Sequence, residues 1–207
     1  PIHRDERGED VPIIAAGGPS VFNPFPLADF IDVFLFGEFD FEMKNFADII
    51  YNLKKNGAKR DDILKELSKL EYAYVPKYKK ENVKRIFVEN INEMPYVKKP
   101  LVPLVEGIQN RISVEIARGC THSCRFCLAG ITYRPVRNRT IEKIVDIAME
   151  SLEATGANTL NLFSLSADDY PHIGELIEYL QTLGEHKGFS LSLPSLRIEF
   201  HNLEKQA

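Results

Sequence analysis

From Ile112 onward one unit repeats: an apolar strand, a polar helix start, an amphipathic helix and a glycine. Ile112, Val114 and Ile116 alternate as a strand, and Thr140 is placed to cap a helix whose Ile144, Val145, Ala148 and Leu152 form one face before Gly156. Thr159–Phe163 reads as the next strand. Asp168, Asp169 and Pro171 open a helix through Ile173, Leu176, Ile177 and Leu180 that is expected to end at Gly184. Phe189, Leu191 and Leu193 form a third strand. Strands joined by helices of this length predict parallel pairing, in a barrel or an open sheet, with chemistry at the C-terminal ends of the strands. Cys120 sits at such an end.

The N-terminal part has a related rhythm. Residues 11–16 predict a buried strand running into the Gly17-Gly18-Pro19 turn, and residues 31–36 a second strand closed by Gly37-Glu38. Phe46, Ile49, Ile50 and Leu53 recur at helical spacing, with Gly57 as the stop. Ile63, Leu64, Leu67 and Leu70 mark a short amphipathic helix. Residues 72–108, rich in Pro, Tyr and Lys, predict a connector carrying one strand pair at most. The expected division is therefore 1–57, a first α/β domain; 58–110, helix and connector; and 111–207, a second α/β domain.

Acids and bases are interspersed over the 207 residues with a net charge of −4, which gives no general attraction to polyanions or anionic membranes. The longest apolar runs fall well short of the roughly 20 residues that span a bilayer, and a cytoplasmic location is expected. The chain opens at Pro1 and three strands are few for a closed barrel, so a piece of a longer protein is expected, with exposed sheet edges that a partner or further sequence would cover.

All three cysteines lie in the stretch RGCTHSCRFC, residues 118–127, as Cys120, Cys124 and Cys127. Three thiols cannot all pair, and their proximity favours a reducing compartment and a metal. A closed tetrahedral zinc site needs four ligands; a second pair of cysteines is lacking, and His122 is the available fourth. A zinc-binding structural or interaction module is the alternative this leaves open. A 4Fe-4S cluster held by three thiolates instead keeps one iron without a protein ligand.

This loop resembles that of the radical S-adenosylmethionine (radical SAM) enzymes, in which the open iron chelates S-adenosylmethionine and the reduced cluster cleaves it to a 5'-deoxyadenosyl radical. The resemblance implies cluster ligation by Cys120, Cys124 and Cys127, and a place for Phe126 near the adenine. It also implies a barrel of which residues 111–207 supply the first half, and a reductant such as flavodoxin or ferredoxin. Where many members carry a Gly-Gly-Glu type motif this chain has Phe163-Ser164-Leu165-Ser166, so Ser164 and Ser166 take that role by position; Ser195 and Arg197 look like the polar pair some members use for the ribose or carboxylate. Arg134, Arg137 and Arg139 are candidates for a substrate carboxylate or phosphate, or for RNA, against the plainer reading of a solvated loop paired to Asp168 or Asp169.

Gly17-Gly18-Pro19, Pro24, Asp32 and Gly37-Glu38 resemble, in their order, the Rossmann-like cobalamin-binding-type domain that precedes the radical barrel in one subgroup. That implies the Gly17-Gly18 turn and the Gly37-Glu38 turn near the nucleotide tail of a cobalamin, although the Asp-x-His-x-x-Gly stretch that supplies a cobalt ligand elsewhere is absent and His3 is no substitute. The substrate carries no signature in this chain; RNA or a small metabolite would fit the family.

Overall fold

The computed structural model describes residues 1–105, 111–193 and Leu196. The chain divides at Glu89 and Asn90 into two compact units.

In the first unit, strand β1 (Ala15–Ala16) pairs in parallel with β2 (Val33–Leu35), and β2 pairs antiparallel with β3 (Ala73–Tyr74). Helices α1 (Glu42–Lys55) and α2 (Arg60–Leu67) lie between β2 and β3 in the chain. Side chains alternate across a strand. Val33 and Leu35 accordingly join Phe46, Ile63, Leu64 and Leu67 in one core, while Phe34 and Phe36 pack with Val21 in another. The strand expected over residues 11–16 is paired over only two of them, because the Asp32 carboxylate takes the Ile14 N–H at 2.7 Å where a strand partner would stand. Helix α1 stops as expected, with Gly57 at φ 76° just beyond its end. Residues 60–67 and 73–74, which the sequence places in the 58–110 segment of helix and connector, pack within this first unit through Ile63, Leu67 and Ala73.

The second unit is built on a parallel sheet. Strand β4 (Ile112–Glu115) leads into β5 (Ala117–Arg118), the short helix α3 (Ala129–Thr132), β6 (Arg137–Asn138) and helix α4 (Ile141–Thr155). Strand β7 (Thr159–Phe163), helix α5 (Ile173–Lys187) and β8 (Ser190–Ser192) follow. The sheet order is β4-β7-β8, parallel throughout, with Ile112 opposite Leu160 and Leu160 opposite Leu191. Ile112, Val114, Leu160 and Leu162 bury one sheet face against Ile144, Ala148, Leu152, Leu176 and Leu180 of the two crossover helices. The expected cap is present: Thr140 Oγ1 accepts from the Lys143 N–H at 3.3 Å, and Gly156 at φ 69° closes α4. Helix α5 runs past Gly184 to Lys187 and is closed by Gly188 at φ 83°. Gly184 serves packing instead of termination, since a Cβ there would stand 2.5 Å from the Phe189 carbonyl oxygen. This mixed α/β unit is the parallel-sheet architecture expected from the sequence.

Candidate metal centre and cofactor site

The cysteine loop is closed at its neck. Beyond β4, Ile116 donates its N–H to Phe163 O at 2.9 Å and accepts from Arg139 N at 2.8 Å, and β5 pairs antiparallel with β6 through Ala117 opposite Asn138 and Arg118 opposite Arg137. Gly119 then turns at φ 96°, and a Cβ there would lie 2.7 Å from the carbonyl oxygens of both Tyr133 and Pro135. Gly130 meets the loop from the other side, where a Cβ would stand 2.5 Å from His122 O. Glycine is required at Gly119 for both conformation and space. Within the loop Cys127 N–H donates to Cys124 O at 2.9 Å, forming a tight turn.

The three thiols are free of disulfides; Cys124 is exposed, and Cys120 and Cys127 are half-buried. Among the described residues no three His, Cys, Asp or Glu side chains gather around one point at metal-ion range. In an iron–sulfur cluster each thiolate takes a different iron, so the sulfurs stand apart by the width of the cluster. His122 Nε2 stands 2.5 Å from Asp169 Oδ2, which engages the imidazole with a carboxylate. A set of three soft thiols on an open loop, with the nearby histidine already paired, fits an iron–sulfur cluster better than a closed zinc site. Phe126, which lies between Cys124 and Cys127 in the chain, is 93% exposed, and the apolar Leu128 and Ile131 that follow are exposed as well.

The loop after β7 adds a second wall. Ser164 and Ser166 are both buried, but their hydroxyls differ: Ser166 Oγ donates to Asp168 Oδ1 at 2.9 Å, whereas Ser164 Oγ has no hydrogen-bond partner. Asn161, which the sequence reading passed over, donates through Nδ2 to Ser113 Oγ at 3.1 Å and leaves its buried Oδ1 without a partner. Buried polar atoms are rarely left unpaired. Two buried oxygens, one on β7 and one in the loop that follows it, are left without a hydrogen-bond partner. The signal in the sequence was an amide inside the otherwise apolar strand TLNLF, a residue type depleted there. The His122–Asp169 contact ties this wall to the cysteine loop. Ser195 and Arg197 lie outside the described residues.

Two of the three arginines depart from both sequence readings, while Arg134 is exposed. Arg137 and Arg139 are 8% and 4% exposed, neither solvated nor open to a substrate. Arg137 donates to Pro135 O at 2.9 Å and Tyr133 O at 3.1 Å; Arg139 donates to Glu115 O at 2.9 Å and to Ile91 O. A guanidinium presents five donors in a fixed fork, and a buried one must find acceptors for them. These two find carbonyls and so shape the return of the loop. Arg134 reaches across the cysteine loop to Thr121 O at 3.2 Å and Ser123 Oγ at 3.0 Å.

Residues 114–207 match the family model described as "Radical SAM superfamily", and residues 1–76 match "Radical SAM proteins, N-terminal". The chain carries radical SAM domains. An uncharacterized protein of Methanocaldococcus jannaschii is 33% identical over 193 residues, which span 92% of this chain and 39% of that relative. The radical SAM family in general uses a 4Fe-4S cluster and S-adenosylmethionine. No helix among the described residues is long and apolar enough to cross a membrane.

The radical SAM N-terminal domain explains its motifs without cobalamin. Gly37, at φ 127°, lies against the chain's own backbone: a Cβ there would stand 2.1 Å from Ile86 O. The Glu38 carboxylate accepts from Val88 N and Arg85 Nη2, each at 3.1 Å. The Gly37-Glu38 turn is thus filled by residues 85–88 where a nucleotide tail was expected. Gly18 turns at φ 92° with open space beside it, at the start of the 3-10 turn Pro19–Phe22 that follows β1, and a Cβ at Gly17 would meet Leu35 O at 3.8 Å, an ordinary contact. Cobalamin finds no support in this unit.

Proposed function

We propose that this chain belongs to an enzyme that cleaves S-adenosylmethionine reductively at a 4Fe-4S cluster. The observation that carries the reading is the three-thiol loop at the C-terminal end of β4, pinned by Gly119 and facing a second loop with an orphaned buried hydroxyl at Ser164. Cys120, Cys124 and Cys127 would hold the cluster; when bound, it supplies one electron to the sulfonium of S-adenosylmethionine. The chain's own residues position and shield. Ser164 Oγ and Asn161 Oδ1 offer buried oxygens to ligand hydrogen-bond donors. Phe126, Leu128 and Ile131 offer exposed apolar side chains able to pack an adenine and exclude water. The His122–Asp169 contact sets the distance between the two loops. Electrons would come from a flavodoxin- or ferredoxin-type donor, and a metabolite or an RNA would receive the radical. Oxygen-free reconstitution with iron and sulfide is expected to give a brown protein whose visible absorbance bleaches with dithionite. A colourless product that takes up one zinc per chain overturns the reading.

A further inference from the structure

The N-terminal unit contains a cavity of about 230 Å³ that plays no part in the site above. Its floor is a buried charge cluster. Arg7 Nη1 and Arg60 Nη2 both donate to the same oxygen, Asp32 Oδ2, at 2.9 and 2.7 Å, and the three side chains are only 6%, 9% and 2% exposed. Two guanidiniums thus share one carboxylate, whose Oδ2 also accepts from Ile14 N at 2.7 Å. A third guanidinium, Arg4, lines the same cavity with its side chain 18% exposed; its Nε is buried without a hydrogen bond. The nearest carboxylate to Arg4, that of Asp5, is 3.7 Å away and 80% exposed.

The other acids are at the rim and already engaged. Asp61 pairs with Lys77, both more than half exposed, and Glu9 Oε2 accepts the Arg60 backbone N–H at 2.8 Å from an exposed position. Exposed charges are screened by water and salt, whereas buried ones are screened much less. The floor therefore keeps an excess of positive charge from Arg4, Arg7 and Arg60 over Asp32. Burying an uncompensated charge is costly, and a guanidinium fork matches the oxygens of a phosphate. At ~30 Å³ per liquid water the cavity has room for several waters, more than a bare phosphate ion needs.

We propose that this cavity binds a phosphate group, free or esterified on a small metabolite, with Arg4 as the residue that closes on it. Arg4 is the informative position because its side chain makes no hydrogen bond in the fold, so Arg4→Ala should leave the far-ultraviolet circular dichroism unchanged. Thermal unfolding of the chain is measured in inorganic phosphate, in glycerol phosphate, and in chloride at matched ionic strength. Phosphate is expected to raise Tm above chloride, as any ligand of the folded state does. Arg4→Ala should weaken the apparent affinity about tenfold or more, the size of one charge-assisted hydrogen bond, with Arg4→Lys in between. Tighter binding of the ester assigns the site to a phosphorylated metabolite, and equal binding assigns it to the free ion. Equal Tm in phosphate and chloride overturns the proposal, and so does an Arg4→Ala chain that responds to phosphate as the parent does.

Discussion

Gly119 is where the backbone decides whether three thiols can face one object. Replacing it with Ala places a Cβ against two carbonyl oxygens at a positive φ, a strain of about 1–3 kcal/mol before any clash is counted. Gly119→Ala is expected to lower the urea midpoint and to reduce iron uptake on reconstitution together. Cys124→Ser should separate the two readouts: the thiol is exposed and unpaired, so bound iron falls while the unfolding midpoint stays within error. Asp169 acts through His122, so Asp169→Ala should weaken S-adenosylmethionine binding in equilibrium titrations of the iron-loaded protein. Asp169→Asn, which can still accept from Nε2, should largely restore it. The cysteines were legible because spacing in the chain is their signal. Ser164 was legible only as one of two hydroxyls, and what distinguishes it from Ser166 is a neighbour, Asp168, already taking the other. Asp169 as the partner of His122 was not legible, because the two lie on separate loops that meet only after folding.

Elements followed their apolar periodicity wherever a cap confirmed it. Helix α4 begins at its Thr140 cap and ends at Gly156, as read from the sequence. Helix α5 overran Gly184 because a glycine stops a helix only where the chain turns left-handed, and at Gly184 the close approach of Phe189 explains the missing side chain. In the N-terminal unit, Tyr72 joins the entry of β3 to the first turn of α1 by donating its hydroxyl proton to Glu42 Oε1 at 2.8 Å. Burial, and then the Glu42 carboxylate, push the phenol far above its ordinary value near 10. The folded state thus keeps a proton that the unfolded chain loses, so this contribution to stability is whole below pH 10 and disappears as pH rises above it. Denaturant midpoints should fall as pH is raised past 10 in the parent, and less steeply in Tyr72→Phe.

The molecule comprises two units with separate cores. In the N-terminal unit, Asp32 and Glu38 lie buried beneath Arg7, Arg60 and Arg85, and Gly37 is covered by Ile86. Hydroxocobalamin is accordingly expected to leave the Tm and its own visible spectrum unchanged when mixed with the chain; a retained, red-shifted chromophore after gel filtration would contradict this. In the second unit the parallel order β4-β7-β8 was written into the alternation of short apolar strands with capped helices, because a crossover of that length permits little else. The sequence by itself determined which side chains are thiols, which stretches are strands and helices, and the soft-metal chemistry those thiols favour, since all of these depend on residues close together in the chain. Only the tertiary structure decided that Arg137 and Arg139 are buried on carbonyls, that Gly37 holds a neighbouring segment, that Asn161 Oδ1 and Ser164 Oγ remain unpaired, and that Arg4 lines the cavity where Arg7 and Arg60 share one carboxylate. Each of those depends on which distant group arrives beside a charged, polar or missing side chain, and local pattern carries no record of that arrival.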